Sequence, residues 1–191
     1  KQIDAAVKLY IKTHGNTVAG RKVEVILKDD TGTAPAVTKR LAQELIVNDK
    51  VDILAGFGLT PLAFAAAPLS EEAKKPMIVM AAATSAITTK SPYIMRTSFT
   101  LPQVTLGIAD WAAKNGIKKV YILVTDYGPG IDAENQFKKT FVAGGGEIVG
   151  SARIPLKNPD YGPFMQRAKD AAPDAVFAFV PAGEGTGFMK E

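Results

Sequence analysis

Apolar positions along the chain follow two rhythms that take turns. Ile3, Ala6, Val7, Tyr10 and Ile11 share one helical face and the pattern stops at Gly15, which predicts an opening helix. Val23, Val25 and Leu27 then alternate with Glu24 and Lys28 as a strand would. The cluster Asp29-Asp30-Thr31-Gly32 turns that strand into a helix carrying Val37, Leu41 and Leu45. Val51, Ile53, Leu54 and Ala55 form a short apolar run ended by Gly56 and Gly58, the signature of a strand buried on both faces. Thr60 reads as the N-cap of the next helix, Pro61 as its first helical residue, and Leu62 to Lys74 as its body. Met77 to Ala81 supplies a further strand after Lys75-Pro76. Repeated strand-helix units of this kind predict a parallel sheet.

The rhythm breaks after Ala82-Ala83-Thr84-Ser85. Ser91 to Thr97 reads as a short extended piece, and a helix carrying Val104, Ile108, Trp111 and Ala112 follows, with a crossover between Arg96 and Pro102. Val120 to Thr125 is strongly β-prone, Phe137, Phe141 and Val142 lie on a helix closed by Gly144-Gly145-Gly146, and Glu147 to Ile154 is a strand. Tyr161 to Ala171 reads as a helix, Ala175 to Val180 as the last strand, and Gly183-Glu184-Gly185-Thr186-Gly187-Phe188 opens one more helix. The expected fold class is α/β, in two parallel-sheet lobes over residues 1–98 and 99–191. No Gly/Ser-rich linker separates them.

Composition narrows the function classes. The chain has 191 residues, 47% hydrophobic and 22% charged, as an ordinary globular protein does, and its net charge of +4 is spread among acids with no basic stripe for nucleic acid. With no cysteine there is no disulfide, thiol chemistry or thiolate metal site. Lys1-Gln2-Ile3-Asp4 shows no signal peptide in this numbering, and Gly56, Gly58, Pro61 and Pro68 interrupt the one uncharged run long enough to raise a membrane span, Ile53 to Ser70.

Four small or polar clusters follow predicted strands: Gly58-Leu59-Thr60, Ala82-Ala83-Thr84-Ser85, Asp126-Tyr127-Gly128 and Ala182-Gly183-Glu184. Open α/β sheets bind ligands at the carboxyl ends of their strands, where hydroxyls and helix-start N–H groups can hold a carboxylate without a buried cation. Thr60 and Thr84 are either plain caps or ligand donors. Tyr127 either offers its ring or phenol to a ligand or is a turn aromatic packing on its own domain, Glu184 pairs with an ammonium or stays solvated, and Asp126 orders its turn or caps a helix in preference to ligating. Enzyme readings are thin. His14 is the only histidine, at a predicted helix end; Asp29-Asp30 reads as an acidic turn; no Walker A sequence occurs; and Gly183 to Gly187 misses the dinucleotide spacing by one residue. No cofactor is expected.

The ordered set LAGFGLTP, PMIVMAAATS, YIMRTSF, VYILVTDYGPG and DAVFAFVPAGEG resembles the periplasmic substrate-binding proteins of branched-chain amino-acid ABC transporters, which have the type I binding-protein fold. The similarity runs through essentially the whole chain. It implies two hinged Rossmann-like lobes that close on a ligand, a permease as partner, no catalysis and a periplasmic location. It also implies that Thr60 binds the ligand carboxylate, that Ala82 and Thr84 meet its ammonium and carboxylate through carbonyl and hydroxyl, that Tyr127 comes from the second lobe, and that Gly183 and Glu184 lie in another contact loop. The family usually has a serine-rich turn where this chain has Thr60-Pro61-Leu62. A more apolar pocket, admitting an aromatic carboxylate as well as a branched-chain amino acid, is the expectation. Relative to that family the chain reads as truncated at both ends, with possible self-pairing of exposed edges. A ligand-sensing domain on the same fold, or a nucleotide-dependent enzyme, are the alternatives.

Overall fold

The computed structural model describes residues 2–32, 34–181 and 184–190. The chain divides into two compact units, Lys1–Ala82 with Ile87–Ser98, and Ala83–Ala86 with Phe99–Glu191. The chain therefore leaves the first unit for four residues, returns to it, and leaves again after Ser98.

In the first unit, α1 (Gln2–His14) leads into a two-residue antiparallel ribbon of β1 (Thr17–Val18) and β2 (Arg21–Lys22). Helix α2 (Pro35–Val47), β3 (Leu54–Gly56), α3 (Thr60–Glu72), β4 (Met77–Val79), a 3-10 turn (Ser85–Thr89) and β5 (Ile94–Arg96) follow. The parallel sheet has the order β3-β4-β5. Its core joins Leu54, Met77, Val79 and Ile94 from the strands to Ala42 of α2 and to Ala63, Ala66 and Ala67 of α3. Alanines on the helices let them approach the sheet closely. The strand expected over Val23 to Leu27 does not form. Val23 N–H donates to the Asn16 carbonyl and closes the ribbon, and Val23, Val25 and Leu27 stay exposed. A strand exists only where a neighbour satisfies its backbone groups, and among the described residues β3 pairs with β4 alone. The uncharged run from Ile53 to Ser70 is divided between β3 and α3, and no described helix is long and apolar enough to cross a membrane.

The second unit is built on β6 (Lys119–Thr125), whose residues from Val120 to Thr125 are all buried. It lies between β7 (Glu147–Ile154) and β8 (Ala175–Phe179), parallel to both. Because side chains alternate across a strand, β6 feeds two cores. Val120, Ile122 and Val124 pack with Ala109 and Ala112 of α4 (Leu101–Lys114) and with Phe137 and Phe141 of α5 (Gly128–Ala143). Tyr121 and Leu123 face the other way, toward Ala168 of α6 (Gly162–Asp170) and Phe188 of α7 (Gly185–Phe188). Helix α4 departs from the expected face. Leu101, Thr105, Ala109 and Ala112 are buried, whereas Val104, Ile108 and Trp111 are exposed, Trp111 by 55%. The apolar stripe predicted the element and the burial of Ala112 correctly and the burial of Val104, Ile108 and Trp111 wrongly, because α4 packs through small residues that admit α5.

One buried acid ties α5 to the sheet. Glu134 is only 4% exposed, and its carboxylate accepts hydrogen bonds from Lys138 at 2.6 Å, from Arg153 Nε at 2.7 Å and from the Ser151 hydroxyl. Burial alone would push the carboxyl up; the donors Lys138, Ser151 and Arg153 outweigh it and hold the group at about 2.

Two outcomes follow from these contacts. Ala109→Leu, at a fully buried contact between α4 and the β6 face, is expected to lower stability by about 1–3 kcal/mol in a denaturant titration. Glu134→Gln is expected to destabilise the fold at neutral pH. Since the folded-state value lies below the unfolded one of about 4.3, the stabilisation is complete above that pH and disappears as pH falls toward about 2. Thermal melts of the two proteins across that window should converge at the acid end.

Candidate functional site

The turn from β6 into α5 is set by two positions that cannot carry a side chain. A Cβ at Gly130 would collide with the Thr125 carbonyl, and one at Gly128 would collide with Thr84 Oγ1. Tyr127, extended at φ −160° and ψ 173°, is the N-cap of α5 but makes no side-chain cap bond, so its ring is free of the capping duty. The ring stacks on Phe179 of β8 with centroids 6.3 Å apart and planes at 20°. Burial pushes its phenol up to about 12, so the hydroxyl stays protonated and can donate at any physiological pH.

Thr84 belongs to the four-residue segment that the second unit takes from the chain between β4 and β5. It is 5% exposed and packs on Gly128 at the start of α5. Ala83 joins Leu101 and Ala133 in a small buried cluster, and its carbonyl accepts the Leu101 N–H at 3.0 Å. A buried hydroxyl packed on the first turn of α5 and the protonated phenol of the α5 N-cap residue therefore both belong to the second unit. Such a set suits an anionic oxygen attached to an apolar body. Thr84 and Tyr127 were both legible in the sequence; Phe179 and the glycine constraints were not, since they are contacts between distant segments.

Thr60 and Ala82 lie in the first unit. Thr60 is not the N-cap that the sequence suggests. Leu59 takes that role without a side-chain bond, and Thr60 is already the first helical residue, 2% exposed, with Pro61 following. Extended Leu59 permits the helix to start one residue early because its carbonyl accepts Leu62 N–H and Ala63 N–H at 3.1 and 3.2 Å. Ala82 is buried, its N–H donating to the Phe57 carbonyl at 3.0 Å.

Gly183 lies outside the described residues. Glu184 is half-buried, and its carboxylate accepts the Tyr161 hydroxyl at 3.0 Å; burial, then Glu184, raises that phenol. This pairing replaces the solvated glutamate of the sequence reading, and no local pattern announces it across the intervening residues. Asp126 does not cap α5; its carboxylate lies 3.9 Å from Arg153 and its N–H donates to the Ile154 carbonyl. His14 stacks on Tyr10 at 4.2 Å. Asp29 and Asp30 accept the backbone N–H groups of Thr31 and Gly32, as an acidic turn does. Among the described residues no three His, Asp or Glu side chains gather as a metal site.

Comparison with known proteins matches this arrangement to a family. The model of the periplasmic binding protein family covers residues 1–191. A Leu/Ile/Val-binding protein homolog 6 from Brucella abortus (strain 2308) is 50% identical over all of this chain and 49% of its own length. The solute-binding protein of an ABC transporter from Rhodopseudomonas palustris BisB5, solved in complex with 3,4-dihydroxybenzoic acid, is 67% identical with a TM-score of 0.93, covering 99% of this chain and 52% of that one. A solute-binding protein from R. palustris in complex with 4-hydroxybenzoate is 53% identical with a TM-score of 0.94, covering 98% and 51%. The chain spans about half the length of these relatives. Two parallel-sheet units, the order of their strand-end turns and the family match over every residue agree, and the chain belongs to the periplasmic binding proteins, with the type I fold of ABC-transporter solute-binding proteins.

Proposed function

We propose that the protein captures a small carboxylate, an aromatic acid in preference to a branched-chain amino acid, and delivers it to the permease of an ABC transporter. It carries the ligand in the periplasm and performs no chemistry on it. The observation that carries the choice of ligand is the environment of Tyr127, an aromatic ring stacked on Phe179 with a protonated, half-buried phenol, on the same unit as the buried Thr84. An aromatic acid matches such a wall along its ring and meets the hydroxyls with its carboxylate. The two similar solute-binding proteins solved with hydroxylated benzoic acids support the same class. Thr60, Ala82, Gly183 and Glu184 are proposed as further contacts. Pro61 and Leu62, which stand at the start of α3 beside Thr60, favour an apolar ligand body there.

Calorimetric titration of the protein with 4-hydroxybenzoate and with leucine tests the reading. Binding of 4-hydroxybenzoate at least about tenfold tighter than leucine is expected, with Thr84→Ala weakening it by about 1–3 kcal/mol through loss of a donor to a charged oxygen. Folded protein that binds neither compound contradicts the proposal, and tighter binding of leucine contradicts the choice of ligand class.

A further inference from the structure

Asp132 lies one turn along α5 from Gly128, on the face that receives the segment Ala83–Ala86. One of its carboxylate oxygens, Oδ2, accepts two hydrogen bonds from the same residue, Ser85 N–H at 2.7 Å and Ser85 Oγ at 2.9 Å. Ser85 begins the 3-10 turn Ser85–Thr89, where a backbone N–H has no acceptor within its own turn. A carboxylate supplies that acceptor and adds the strength of charge assistance. The residue just before Ser85 is Thr84, packed on Gly128. On its other side Ala83 is held by the Leu101 N–H and by the cluster with Leu101 and Ala133. Thr84 is thus flanked by two anchored residues, and the anchor on its C-terminal side is a single ionic side chain from α5.

We propose that Asp132 is a positioning residue for ligand binding: by fixing Ser85 through both its N–H and its hydroxyl, it holds Thr84 in the backbone conformation that keeps its hydroxyl at the first turn of α5. The inference rests on the reading above that Thr84 contacts the carboxylate. Asp132 sets affinity through Thr84 without touching the ligand itself. Replacing the Asp132 side chain by a methyl group removes both hydrogen bonds that it accepts from Ser85, one from the main chain and one from the side chain.

A double-mutant cycle read by calorimetry with 4-hydroxybenzoate, together with thermal melts, tests this on the unsubstituted protein, T84A, D132A, D132N and the T84A/D132A double variant. D132A is expected to weaken binding about tenfold, while D132N, which keeps an acceptor oxygen for Ser85, stays within about threefold. In the T84A background, D132A should change affinity by less than about twofold, because its effect passes through the missing hydroxyl. A merely structural role would weaken binding by the same factor in both backgrounds, tracking the melting temperature, and that additivity would overturn the positioning role, as would an unchanged affinity in D132A. Additive losses in a protein whose binding is sensitive to T84A leave the ligand reading standing. Absence of binding by the folded unsubstituted protein refutes that reading and this inference together.

Discussion

The second unit depends on a contact that no side chain can enter, the approach of Gly130 to the Thr125 carbonyl where β6 passes into α5. A helix brought that close to its parent strand points its first turn back over the strand end. The rest of the unit is then fixed. Phe137 and Phe141 reach Val120, Ile122 and Val124 along one face of β6, and Glu134 meets Ser151 and Arg153 on β7. Gly128 and Asp132 face the segment Ala83–Ala86, and Tyr127 stands at the junction with Phe179. One steric constraint therefore couples core packing, a buried ion network and the candidate ligand contacts through a single helix.

How much of this was legible in the sequence varies with the range of the interaction. The β-prone run at Val120 to Thr125, the glycines that follow strands and the phenylalanines of α5 are local signals, and each element formed where those signals placed it. Orientation and pairing are not local. Val104, Ile108, Trp111 and Ala112 make a convincing apolar stripe, yet of these α4 buries only Ala112, with Leu101, Thr105 and Ala109, because it packs on α5 through small residues. Val23 to Leu27 alternates as a strand should, but alternation states only a preference, and no described neighbour offers it a ladder. Thr60 has the composition of a cap and stands one residue too late to be one.

The candidate site divides the same way. Thr84 and Tyr127 could be singled out as candidates because hydroxyl and aromatic residues directly after a strand lie where such folds bind ligands. What surrounds them was not legible. Asp132 reaches Ser85, Phe179 lies under Tyr127, and Tyr161 bonds Glu184, each across a stretch of chain that no spacing rule spans. The family match supplies the fold of the whole and the kind of ligand that similar proteins carry. The uncharged donors at the start of α5 and the stacked rings beside them are what supports proposing such a ligand for this chain.

Thr84 and Tyr127 are the groups proposed to meet an aromatic acid. A crystal structure of the protein with 4-hydroxybenzoate tests that most directly. It should show a ligand carboxylate oxygen within hydrogen-bond distance of Thr84 Oγ1 and the ligand ring against Tyr127. A ligand bound away from both residues, with Thr84 still packed on Gly128, would contradict it.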